Sequence, residues 1–545
     1  MRNGSSQHLQ PTQHLRPTRY LQPNFSRTLR RARRAHEEGE FGKAERLYTE
    51  LLRQRSDDFD ALHGLGQVNY RRGRLDAALA LIQAALKSDI SRADGFASLG
   101  LVFHALGQFQ RALISYDEGL RLEPNNAELL NRHGVALLEL NRPREALEDF
   151  DRVLASDPNH FDGLGNRGNA LLKLNRVVEA LAVYDRALKL APTNAQLLTN
   201  RAVALRRLDR PREALMSAAS ALISKPDFAQ ARFVESLATL TLGDFSGWLG
   251  YEARWQVGAL ASQRRSFTAP LWLGMESLDG KTILLHAEQG FGDTVHFVRF
   301  APLLAARGAN VILEAQPQLV RLLSGIPDVT AVISSNAPSP HYDFHCPLLS
   351  LPLACATAIE TIPAQIPYIA PAQADVRSWR ARLPRRLPLV GLVWSGERSH
   401  DNDLNRSMRF ATLAPLLDIP DVAFVSLQHE VREEDAALLQ SCPGVVKVGA
   451  NFTDFADTAA ALATLDAVVA VDTGVAHLAG AMGVPLFLLL PFAADFRWLR
   501  ERADSPWYPT ARLFRQPRFG DWDSVVKLLR QELTQFGIRR GGAAA

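Results

Sequence analysis

The chain has 545 residues, 47% hydrophobic and 22% charged, with a formal net charge of +4 at pH 7. That length predicts about three or four domain-sized units. The near-balanced charge gives no support to a nucleic-acid binder, and the lack of any apolar run of about 18 residues excludes a membrane-spanning helix.

Residues 1–34 hold eight arginines and no acid, among Gln, Pro and Ser. With no apolar core to its composition, this stretch is no secretory signal, and residues 1–24 are expected to be a disordered basic arm. From residue 25 a fixed period takes over. Gly66, Gly100, Gly134 and Gly168 are spaced by 34 residues, as are Ala44, Ala78, Ala112, Ala146, Ala180 and Ala214, and as are Pro124, Pro158, Pro192 and Pro226. Small residues at two positions and a closing proline, repeated every 34 residues, are the pattern of tetratricopeptide repeats. Six helix pairs are predicted over 25–228, with capping helices and a linker over 229–270. Such an array binds a protein partner along its concave face, and it equally suits homo-oligomerisation.

After Pro270 the pattern changes to short apolar runs separated by helical stretches. Thr282–His286, Val311–Leu313 and Val329–Ile333 predict three strands of a first Rossmann-like domain over 271–370. A linker is expected over 371–386. Strands at Pro388–Trp394, Val422–Ser426, Val445–Val448, Ala467–Val471 and Pro485–Leu490 predict a second such domain over 387–535, followed by a tail, 536–545. The expected fold class is therefore an α-solenoid followed by two α/β domains with parallel sheets. Ligands of such sheets bind at the carboxyl ends of the strands. Three cysteines, Cys346, Cys355 and Cys442, lack metal-ligand spacing and suit a reducing, cytoplasmic setting.

Polar residues gather where strands hand over to helices. Gly290-Phe291-Gly292-Asp293 follows the first strand; the third glycine of a dinucleotide fingerprint is missing, since position 295 is Val. Asp293 either caps the helix or acts as a general base. Asp472-Thr473-Gly474 opens another helix, whose free N–H groups favour an anion, and Asp472 shapes that turn or bonds a hydroxyl. His477, one turn in, is either a core histidine or a donor to a phosphate oxygen. Ser395 and Arg406 bracket a polar loop after the fourth strand, and Gln428 ends the fifth. Asp401-Asn402-Asp403 is common turn chemistry and no metal is assigned to it.

Asp-Thr-Gly-Val-Ala-His-Leu-Ala-Gly-Ala-Met-Gly-Val-Pro, residues 472–485, resembles the nucleotide-sugar motif of glycosyltransferase family 9, the heptosyltransferases. Gly292-Asp293-Thr294-Val295-His296 resembles that family's N-terminal motif. The resemblance implies a GT-B arrangement of the two α/β domains, an inverting and metal-independent sugar transfer from a nucleotide-sugar donor, and no cofactor. It implies Asp293 as catalytic base and Thr473, Gly474 and His477 as donor-diphosphate contacts. Arg406 is the remaining basic candidate, because the family's usual lysine in that loop is absent. Protein O-GlcNAc transferases also join such repeats to a GT-B domain, which implies a protein or glycan acceptor recruited by the repeats. The rival expectation is a repeat scaffold whose transferase domain is degenerate.

Overall fold

A computed structural model describes residues 23–541 apart from 263, 385 and 386. The basic arm lies outside the described residues as far as residue 22; Pro23 and Asn24 already open a helix, Pro23–Glu37. The chain forms two compact units that meet between Leu174 and Asn175.

Among its described residues the first unit has helices as its only regular elements: after Pro23–Glu37 come Phe41–Gln54, Phe59–Arg71, Leu75–Ser88, Ala93–Ala105, Phe109–Leu122, Ala127–Glu139, Pro143–Ser156 and Phe161–Lys173. The 34-residue period has a steric cause. The periodic alanines Ala44, Ala78, Ala112 and Ala146 are 0% exposed, so neighbouring helices press on them directly. A Cβ built on Gly100 would lie 2.3 Å from the Tyr116 ring, and one on Gly134 would lie 2.6 Å from Phe150. Glycine is required there because an aromatic side chain of the next helix occupies that space. Asp58 and Asn126 cap their helices by accepting from Ala61 and Leu129 N–H groups at 3.1 Å each.

The second unit starts with the helices Val177–Leu190, Ala195–Arg207, Pro211–Ser224 and Ala229–Thr241 and the short turn Gly247–Tyr251. It then builds two all-parallel sheets. The first has order β3-β2-β1-β4, from β1 (Thr282–His286), β2 (Asn310–Ala315), β3 (Ala331–Ser334) and β4 (Phe344–Pro347). The second has order β10-β9-β8-β5-β6-β7, from β5 (Leu389–Val393), β6 (Ala423–Ser426), β7 (Val445–Lys447), β8 (Ala467–Val471), β9 (Leu486–Leu490) and β10 (Ala511–Arg515).

Four details differ from the sequence expectation. β4 reads Phe-His-Cys-Pro and β10 reads Ala-Arg-Leu-Phe-Arg, too short or too charged to show as strands, yet both complete a sheet. The helical stretch expected between the first two strands is broken: Phe291–Phe297 is followed by a 3-10 turn, and Pro302 lies in the first turn of a new helix, Ala301–Ala305. The segment 371–386 holds a helix, Gln373–Arg380, whose Trp379 packs edge-on to Phe452 at 5.1 Å. The terminal helix Trp522–Gly541 runs on into the expected tail.

The end of the repeat array is tied to the α/β part of this unit. Arg500 donates to Asp209 at 3.0 Å, Asn175 donates to Asn405 at 2.6 Å, Phe245 stacks on Trp507, and Trp248 packs on Phe496. Trp248 and Tyr251 belong to the same core as β1 and helix Gly474–Ala481.

Gly100→Ala is expected to destabilise the first unit by about 1–3 kcal/mol, because the new methyl must displace a fully buried tyrosine. Urea denaturation measures this; an unchanged midpoint would mean that the two helices have room to separate.

Candidate functional site at two helix N-termini

β1 ends at His286, and Ala287–Gly290 turns the chain into helix Phe291–Phe297. The Asp293 carboxylate accepts from the Gly290 N–H at 3.1 Å and from Arg497 Nη2 at 2.5 Å. The first bond is the cap expected from the sequence; the second pairs the carboxylate with a cation. Burial pushes its pKa up from the ordinary value, and Arg497 pulls against that shift.

β8 ends at Val471, and Asp472-Thr473 turns into helix Gly474–Ala481. Thr473 is the extended N-cap residue, and its hydroxyl donates back to Val471 O at 3.2 Å. The two helix starts touch. A Cβ on Gly292 would lie 2.9 Å from His477 Cδ2 and 3.3 Å from Gly474 Cα, so only glycine permits this approach. Asp293 and the 472–474 corner are thereby brought together.

His477 is 7% exposed. Its Nδ1 is 3.0 Å from the Tyr508 hydroxyl, its Nε2 is 3.6 Å from Asp472, and its ring stacks on Trp498 at 5.2 Å. His296 Nδ1 lies 2.8 Å from the same hydroxyl. One phenolic proton serves two imidazoles, so one Nδ1 accepts it while the other donates its own. Burial, reinforced by Arg497, pushes His477 down to about 3, and burial pushes His296 well below its ordinary value. Both rings are neutral at pH 7.

Arg497, 7% exposed, follows β9 in the stretch Asp495-Phe496-Arg497-Trp498. Its Nη1 is 2.8 Å from Asp495, and its other arm meets Asp293. Burial works against the charge of Asp495, but Arg497 wins and holds that carboxylate below its usual range. Asp472 moves the other way: burial, helped by the charge of Asp495, pushes its pKa up. Arg406 Nη1 donates to the Asp472 carbonyl at 3.1 Å. The Nε atoms of Arg406 and Arg497 are buried without a hydrogen-bond partner.

Gln428 is occupied by its own backbone surroundings. It accepts from the N–H groups of Trp394 and Ser395 at 3.2 Å each and donates to Ser395 O at 2.9 Å, which fixes the end of β5. Ser395, Gln428 and Thr473 line a cavity of about 360 Å³, walled by Phe291, Phe452 and Phe455, a volume in the range of small-molecule sites. Asp403 is paired with Arg432 at 2.7 Å and with Ser407 at 2.5 Å.

The glycosyltransferase family 9 (heptosyltransferase) profile matches residues 408–489, and tetratricopeptide repeat profiles match 29–94, 93–126, 131–195 and 183–216. The chain joins tetratricopeptide repeats to a C-terminal glycosyltransferase family 9 domain. The curated Protein FlbA of Caulobacter vibrioides is 27% identical over 340 residues, 57% of this chain and 56% of that protein, so the match spans about half of each. Among solved structures, a tetratricopeptide repeat protein from Parabacteroides merdae is 16% identical with a TM-score of 0.38, covering 44% of this chain and 96% of that one. YrrB, described as such a protein with an unusual peptide-binding site, is 22% identical with a TM-score of 0.30, covering 35% and 98%. No described helix is long and apolar enough to cross a membrane.

Sequence reasoning about the transferase domain missed Arg497, Asp495 and Tyr508. Asp495-Phe496-Arg497 follows β9 at its carboxyl end, and the rule that polar residues there face ligands would have found the first two. Tyr508 lies on an irregular connection to β10 and has no sequence signal.

Stability should fall in acid. A histidine held near 3 when folded but titrating near 6.5 when unfolded contributes fully above pH 6.5. That contribution is lost as the pH drops towards 3, at up to about 1.4 kcal/mol per unit per histidine. Chemical denaturation from pH 7 to 4 tests this, and His477→Asn should flatten the slope; equal slopes would mean that His477 is protonated in the fold.

Proposed function

We propose that the C-terminal half transfers a sugar from a nucleotide-sugar donor to a protein or glycan acceptor that the repeats recruit, in the cytoplasm, where its three free cysteines stay reduced. The observation that carries this reading is the meeting of the Asp293 loop with the Thr473–Gly474 helix start, with Arg497 paired to Asp293 and a cavity walled by aromatic rings alongside.

Transfer needs a base on one side of the sugar and stabilisation of the departing diphosphate on the other. In this reading Asp293 removes the proton of the acceptor hydroxyl, which attacks the anomeric carbon as the bond to the diphosphate breaks. The N–H groups of helix Gly474–Ala481 and the guanidinium groups of Arg406 and Arg497 receive the diphosphate. Their unpartnered Nε atoms are the capacity that an anion would use. His477, neutral and bonded to Tyr508, supports the corner and offers only an N–H, with no charge of its own. Arg497 also restrains the base: while it pairs with Asp293 that carboxylate is a weaker acceptor, and a diphosphate that draws the guanidinium away restores its basicity.

A thermal-shift screen with UDP, GDP and ADP is expected to raise the melting temperature with the logarithm of ligand concentration. The same proteins are then assayed for release of nucleoside diphosphate from UDP-, GDP- and ADP-sugars, with water as acceptor. Absence of both effects would favour the interaction scaffold. Asp293→Asn should lower turnover by about 10²-fold or more while sparing nucleoside diphosphate binding; normal turnover would remove the base assignment. Chelator should leave turnover intact, and a loss restored by manganese would give the Asp401–Asp403 loop a metal after all.

A further inference from the structure

A buried ion cluster lies behind the glycine loop and takes no part in the chemistry above. Arg254, 0% exposed, sits on the 3-10 turn Glu252–Gln256 that leads out of the repeat array. Its guanidinium grips both oxygens of Glu288 at 3.0 Å, Glu252 at 2.6 Å and Ser350 Oγ at 2.8 Å. Glu288 also accepts from the Leu349 N–H at 3.0 Å, and the Ser350 hydroxyl donates to Glu252 at 2.7 Å. Burying such charges gains little stability over a well-packed apolar substitute, so a cluster this complete calls for another account.

Its position supplies one. Glu288 is two residues before Gly290, whose N–H holds the Asp293 carboxylate. Between them, Gln289 donates to the Tyr251 hydroxyl at 3.3 Å, and its carbonyl accepts from Gln316 at 2.8 Å. Gln316 in turn accepts from Thr294, the residue after Asp293, at 2.9 Å. Residues 288–294 are thus pinned along their length, and two of the pins, Tyr251 and Arg254, come from the end of the repeat array rather than from the α/β sheets. The bidentate grip of Arg254 on Glu288 fixes direction as well as distance, which a lysine would not do.

We infer that Arg254 is a positioning residue for Asp293, so that the cap of the repeat array is a working part of the transfer site. This rests on the reading of Asp293 as the base. Small displacements of a reacting group, on the order of 1 Å, cost about 10²-fold in rate.

The test uses the full chain and the UDP-, GDP- or ADP-sugar that the wild type hydrolyses fastest. Removing Arg254 alone would strand the Glu288 charge, so the main variant is Arg254→Met with Glu288→Met, which removes both charges at similar volume. It should stay folded, melt within a few degrees of the wild type and bind the nucleoside diphosphate unchanged. Its kcat should fall by about tenfold or more with the donor KM unaltered. A folded double variant with wild-type kcat overturns the inference. If the double variant does not fold, Arg254→Lys, which keeps the charge but loses the fork, decides in its place: a lower kcat at unchanged KM supports the inference and wild-type kcat overturns it. Asp293→Asn separates the two ideas. If that variant is dead while the Arg254 variants are normal, only the positioning role fails; if it turns over normally, the base assignment fails and the inference falls with it.

Discussion

The contact between the starts of helices Phe291–Phe297 and Gly474–Ala481 is the constraint from which the rest of the site follows. Gly292 lets the backbones meet where a Cβ would collide with the His477 ring and crowd Gly474. Each helix begins at the carboxyl end of an interior strand, β1 in one sheet and β8 in the other, so one contact brings the carboxyl ends of the two strands together. Helix N-termini repel one another through their dipoles. The acidic residues beside this contact, Asp293 and Asp472, answer that repulsion, and Arg497 then answers the acids. The electrostatics of the corner follow from the packing in that order.

Much of this was legible in the sequence, for physical reasons that differ by region. The repeats announce themselves because every helix pair must solve the same close-packing problem, so Ala44, Ala78, Ala112 and the later alanines recur at a fixed spacing and are fully buried. The central strands β1, β5, β8 and β9 show as apolar runs because both faces are covered. β4 and β10 stand at the two sheet edges, where fewer neighbours demand apolar residues, and neither could be told from a loop. The site divides the same way. Asp293, Thr473 and Gly474 sit in local motifs at strand ends and could be read; Arg497 lies at such an end too, but its pairing with Asp293, like those of Tyr508 with His296 and His477, joins residues far apart in sequence and leaves no local pattern.

His477 marks where motif and environment part company. Its place in the first turn of helix Gly474–Ala481 suggests a phosphate ligand. In the fold it is stacked on Trp498, bonded to Tyr508 and held neutral. A neutral imidazole brings no charge to a diphosphate, and its Nδ1 is already spent. The positive charge next to this corner comes instead from Arg406 and Arg497, one from the loop after β5 and one from the loop after β9. In the proposed reading the charge comes from these two loops, and the histidine keeps the corner in shape.

The same logic extends to the repeats. A solenoid that only recruits a partner needs no more than a tether to the domain it serves. Here the array ends in Trp248, Tyr251 and Arg254, and all three are buried in the α/β core or its ion cluster. Asp209 and Asn175, farther up the array, bond the loops that carry Arg497 and Arg406 through Arg500 and Asn405. Helical repeats transmit displacement from one pair to the next because each packs only on its neighbours. A partner that bends the last repeats would therefore move the residues around Asp293 and Arg497, whereas a flexible linker would absorb the motion. In the proposed reading, rigid attachment at this end would couple recruitment mechanically to chemistry.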